Sequence, residues 1–80
     1  MQTISTSALK ISPLRAARLE RGMTLRTAAH RSEIDPGHLS KVERGEKQLS
    51  IESLYRLAVV LELADLATRL QPFLPQRDSA

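Results

Sequence analysis

Twice in eighty residues the chain sets a capping side chain directly before a proline and then, nine residues after the proline, a glycine: Ser12-Pro13 with Gly22, and Asp35-Pro36 with Gly45. Proline at the first helical position loses nothing, because that N–H would have no partner inside the helix. A Ser or Asp before it accepts from the open N–H groups of the first turn. A glycine in the left-handed conformation then stops the helix. Each unit therefore encloses a helix of two or three turns, over Pro13–Arg21 and Pro36–Arg44. Helices this short are marginal alone and must be held by packing.

The rest of the chain continues the pattern. Thr24 caps a segment over Leu25–Arg31, in which Leu25, Ala28 and Ala29 form a face of small residues. Ser50 caps a fourth helix with Ile51, Leu54, Leu57, Ala58 and Leu61 at the three-to-four spacing of a buried stripe. A fifth is expected over Ala64–Gln71, with Leu63, Leu66, Leu70 and Phe73 facing inward, before Pro72 and Pro75 end regular structure. The fold class expected is all-α, a compact five-helix bundle around one core. Three glycines and two aromatics, Tyr55 and Phe73, are too few for a barrel or sandwich. Residues 1–12 are expected to form a flexible N-terminal arm, 13–74 the folded domain, and 75–80 a flexible tail.

Several classes of function are disfavoured. There is no cysteine, hence no disulfide and no thiolate metal site. His30 and His38 lack helical i,i+4 pairing, so no metal is expected. No nucleophile with an evident base, glycine-rich phosphate loop or carboxylate pair is visible, so neither catalysis, a cofactor nor a small-molecule ligand is expected. The longest apolar run, Leu57–Leu61, is far short of the ~20 residues that cross a bilayer. The first residues also lack the apolar stretch of a secretory signal. The expected location is the cytoplasm.

Charge points the other way, toward a polyanion. Residues 15–47 carry eight basic side chains against five acidic ones, the whole of the chain's net charge of +3. Within that stretch the second and third helices are separated only by Ser32-Glu33-Ile34 and the cap Asp35. So tight a connection makes them cross steeply, as in a helix-turn-helix. Ala28 and Ala29 let the third helix approach, and Ile34 plugs the turn. The third helix then projects and fits a major groove about 12 Å wide.

The run RLERGMTLRTAAHRSEIDPGHLSKVERGEKQLSIESLYRLAVVLEL resembles the phage-repressor helix-turn-helix family of the Cro/cI, or Xre, type. The resemblance extends over about Leu14–Leu70 and is most specific in DPGHLSKVERG followed by Ser50-Ile51-Glu52-Ser53-Leu54. It implies a lambda-repressor-like domain that binds double-stranded DNA with its third helix, usually as a homodimer. It also implies an ion pair between Arg18 and Glu43. The chain departs from the pattern at Leu25, where glutamine commonly opens the second helix, and at Glu33, where the turn glycine stands. Pro36 and Gly37 occupy early recognition positions without a side-chain donor.

The base-contact set is therefore Gly37, His38, Ser40 and Lys41, with readout falling on the last three and His38 expected to be the more exposed histidine. Phosphate contacts are expected from Thr24, Arg26, Arg31, Arg44, Lys47 and Gln48. Leu63, Leu66, Leu70, Phe73 and Leu74 form the expected dimer interface, which would set two recognition helices about 34 Å apart. The stretch KQLSIESL, with Leu49 where many relatives have proline, resembles the controller proteins of restriction–modification systems. The function expected is an autoregulatory transcription regulator on a near-palindromic operator. The rival expectations are an antitoxin-like protein-interaction module and a fragment lacking its effector domain.

Overall fold

The computed structural model describes residues 12–75; the expected arm and tail lie outside these, apart from Ser12 and Pro75. Five helices follow one another: α1 (Pro13–Glu20), α2 (Leu25–Ser32), α3 (Pro36–Glu43), α4 (Ile51–Val60) and α5 (Ala64–Leu70). A single 3-10 turn, Gln71–Phe73, closes the described chain. The fold is all-α, and the first four helices begin where their caps place them, while α5 starts after Leu63 without a side-chain cap.

The first four helices start alike. Ser12, Thr24, Asp35 and Ser50 each accept the backbone N–H three residues on, at 3.0–3.1 Å. They also end alike. Beyond each helix two N–H groups fold back onto its last turn, as with Gly45 to the Val42 carbonyl at 3.0 Å and Glu46 to Lys41 at 2.8 Å. The same pair of bonds closes α1 at Gly22-Met23, α2 at Glu33-Ile34 and α4 at Glu62-Leu63. This stop requires a left-handed residue. Gly22 and Gly45 supply it, but so do Glu33 (φ 59°) and Glu62 (φ 61°), where a side chain makes that backbone costly. Glu33 thus holds the turn in the glycine conformation.

Ala28, Ala29, Ile34, Leu39, Leu57 and Leu61 form the buried centre, with Leu14, Ala17, Met23, Leu25, Val42, Leu49 and Leu63 packed around it. α2 packs against both α3 and α4, and α4 against α5. Two expectations about this core are corrected. Ile51 is 42 % exposed, because it is the first residue of α4 and its turn lies at the edge of the core. Phe73 does not face inward but is 67 % exposed, since the 3-10 turn at Gln71-Pro72 breaks the helical phase that would have aligned it with Leu66 and Leu70.

Arginine side chains also join the helices. Arg18 of α1 and Glu43 of α3, each 8 % exposed, meet through two parallel bonds, Nε–Oε2 at 2.8 Å and Nη2–Oε1 at 2.9 Å. Arg18 Nη1 also donates to the Met23 carbonyl at 3.0 Å. The hydrogen bond to Glu43 raises the Arg18 pKa further above its ordinary value, against the opposing effect of burial. Arg21 donates to the Leu61 and Glu62 carbonyls at 2.7 and 3.2 Å, capping α4 from α1. Arg56 donates to the Ser32 carbonyl at 2.8 Å, fixing the end of α2 from α4. Arg21, counted above as part of a basic surface, is therefore committed to holding α1 on α4.

Candidate nucleic-acid interface

α3 is anchored on one side only. Leu39 is fully buried and Val42 packs on the core, while Lys41, on the side away from them, is exposed. Its start is set by Asp35, and Gly37 serves that cap. A Cβ at Gly37 would meet Asp35 Oδ2 at 3.1 Å, so the missing side chain leaves room for the capping carboxylate. Its end is set by Glu43 on Arg18. Cap, core leucine and ion pair together fix the helix along its length, and its outer face is left for other contacts.

Beside the start of α3, a shallow hollow of about 730 Å³ is lined by Thr24, Arg26, Thr27, His30, Arg31 and Pro36, among others. It gathers three of the expected phosphate-contact residues, Thr24, Arg26 and Arg31, along one wall. Thr24 is also the cap of α2, and its hydroxyl bonds to Thr27 as well. Leu25, at the position of the usual glutamine, is half-buried against the core and offers this surface nothing.

The histidines are reversed from expectation. His30 is exposed in the wall of the hollow, whereas His38 is half-buried, next to the fully buried Leu39. Near the end of α2 a cation suits the helix C-terminus, so the position of His30 in the sequence has a structural reason without a ligand. The sequence holds no signal for the hollow, which forms only when α2 and α3 meet.

Beyond α3, Arg44, Lys47 and Gln48 are exposed in the loop to α4. Arg44 is not free. Its Nη1 donates to Ser40 Oγ at 2.6 Å, and Nε and Nη2 donate to the Glu46 carboxylate at 3.0 and 3.3 Å. The bonds between Arg44 and Glu46, with the attraction of their charges, hold the Glu46 carboxyl below the usual carboxylate range and raise the Arg44 pKa. Ser40 accepts from Arg44, which leaves its hydroxyl hydrogen and its second lone pair to offer a partner. Among the described residues the other ion pairs join Arg21 to Glu62 and Arg56 to Glu52, neither on this face.

Two short helices joined by the three residues Glu33-Ile34-Asp35, the second buried on one side and open on the other, with basic residues at both its ends, define a helix-turn-helix domain. The chain belongs to the helix-turn-helix family, whose pattern matches residues 14–67, and within it to the Cro/cI, or Xre, type. It is similar to the transcriptional regulator ClgR of two Mycobacterium tuberculosis strains, CDC 1551 / Oshkosh and ATCC 25618 / H37Rv. Each is 40 % identical over 50 residues, which make up 62 % of this chain and 45 % of the relative. It is also similar to the crystal structure of the clp gene regulator ClgR from Corynebacterium glutamicum, at 37 % identity and a TM-score of 0.61, covering 75 % of this chain and 66 % of that one. The chain spans about half the length of the curated relatives it matches. Among the described residues no helix is long and apolar enough to cross a membrane.

Proposed function

We propose that this domain binds double-stranded DNA sequence-specifically and regulates transcription, with α3 in the major groove and two copies on a near-palindromic operator that includes its own promoter. One observation carries the reading. The open face of α3 is bracketed by basic groups at both ends, Arg26 and Arg31 beside its start and Arg44 and Lys47 beyond its finish. Phosphates flank a major groove on both sides, so such a bracket suits a helix lying between two backbones. The relatives named as transcriptional regulators favour the same reading.

In this reading Lys41 and Ser40 read base edges, His38 has a lesser share because it is half-buried, and Gly37 allows close backbone approach. Thr24, Arg26, Arg31, Arg44, Lys47 and Gln48 hold phosphates. The reading adds His30, exposed in the wall of the hollow, to that group. Leu49 has a structural reason of its own, since it packs on the core, so the resemblance to controller proteins rests on the remaining residues of KQLSIESL.

Fluorescence anisotropy with the duplex immediately upstream of the gene, against a scrambled duplex at two salt concentrations, tests this. Preference by on the order of 10³ that survives moderate salt is expected of a specific regulator. Lys41→Ala should then lose about 1–3 kcal/mol on the specific duplex and far less on the scrambled one. Equal, steeply salt-dependent binding would leave only backbone attraction. Failure to bind any duplex would return the protein-interaction reading.

A further inference from the structure

The stop after α3 does more than end the helix. Gly45, at φ 80°, reverses the chain so that the Glu46 N–H reaches the Lys41 carbonyl at 2.8 Å. That fold sets the Glu46 carboxylate against the guanidinium of Arg44, two residues earlier. Nε and Nη2 donate to its two oxygens at 3.0 and 3.3 Å, and Nη1 donates to Ser40 Oγ at 2.6 Å. A guanidinium grips a carboxylate with the same planar two-point fork that it offers a phosphate.

We propose that Glu46 is an intramolecular stand-in for a DNA phosphate, competing with the duplex for Arg44 and so setting the strength of backbone binding at the end of α3. The proposal rests on the DNA-binding reading above. On docking, Arg44 exchanges the Glu46 carboxylate for a phosphate oxygen pair. Its bond to Ser40 is kept, which holds the guanidinium on α3 throughout. Both charged side chains are about half exposed, at 52 % and 53 %, so the pair is weak enough to be displaced. The cost of displacement falls on every duplex alike. It therefore lowers the affinity for cognate and non-cognate DNA by the same factor, setting how tightly the backbone is held while base contacts set the ratio between sites.

The test is a double-mutant cycle on the full chain, read by anisotropy on a scrambled duplex at low salt. Removing a negative charge tightens DNA binding in any case, and the cycle subtracts that general effect. Glu46→Gln is expected to tighten binding about two- to fivefold when Arg44 is present, and by clearly less in an Arg44→Ala background. Equal effects in the two backgrounds, or no tightening at all, would overturn the proposal and leave the DNA-binding reading standing. If the unaltered chain binds no duplex at low salt, that reading fails first and this one with it.

Discussion

Arg18 and Glu43 show what one buried pair costs and secures. They lie 25 positions apart, and their two-point contact is the side-chain link described between α1 and α3. Removing one partner strands a charge in a nearly dry site, which is far worse than removing both. Glu43→Ala is expected to cost about 3–5 kcal/mol in urea denaturation, a large share of what so small a domain possesses. Arg18→Met with Glu43→Leu should recover most of that loss, since packing replaces the pair. A single mutant as stable as the parent would show that the pair is open to water.

Glu46 gives a pH prediction at the same scale. Its carboxyl is held below the usual range by the hydrogen bond from Arg44 and by that charge, with a smaller contribution from Lys41. A carboxylate whose folded pKa is depressed keeps its contribution above the unfolded value and loses it as pH falls through the folded value. The Arg44–Glu46 contact should therefore be intact at neutral pH and open only in acid, below the usual carboxylate range. A side-chain NMR titration reads this directly, and Arg44→Gln should bring the Glu46 midpoint back up to the ordinary range.

At the scale of elements, the helix stops differ in a way that stability can read. α1 and α3 end on glycine, but α2 and α4 force Glu33 and Glu62 into the same left-handed backbone. For a residue with a Cβ this costs on the order of 1 kcal/mol, partly offset by the freedom glycine gains in the unfolded chain. Glu62→Gly should therefore stabilise by about 0.5 kcal/mol, because its 3.9 Å ion pair to Arg21 is exposed and weak. Gly45→Ala should destabilise by about 1 kcal/mol with no clash, since nothing lies within 4 Å of the added carbon. Thermal melts of the two variants should move in opposite directions. If both move together, the left-handed backbone is not what separates them.

The elements were the most legible part of the sequence, for a local reason. Caps act across three residues and the helix stop across five, so Ser12-Pro13, Asp35-Pro36, Gly22 and Gly45 announce themselves without knowledge of the fold. The stop at Glu62 has no such residue and could not be read. Nor could the roles of Arg21 and Arg56, whose carbonyl partners lie 40 and 24 positions away. The candidate site was legible in its parts but not in its pairing. Arg44 looked like a free cation, and only the folded-back chain shows that Ser40 and Glu46 already hold it.

At the scale of the whole molecule the question is what covers the far side. Phe73 is 67 % exposed and Val59 53 %, and Leu63, Leu66, Leu70 and Leu74 are only partly covered. Val59, absent from the sequence-based interface, borders a hollow of about 290 Å³ with Ala58, Leu63, Ala64 and Ala67, where α4 meets α5. A domain of this size has little apolar area to leave in water, and a second copy would cover it. A twofold pair through this face would tether two α3 helices, and the second would bind at the high local concentration set by the first. The chain should then sediment as a dimer at tens of micromolar protein, and Phe73→Asp as a monomer. On a duplex with two half-sites Phe73→Asp should bind on the order of 10² more weakly, while a single half-site should not distinguish the two proteins. Equal losses on both duplexes would mean that the substitution damaged the domain itself. A parent chain that sediments as a monomer would remove the interface, and the near-palindromic operator would lose its physical reason.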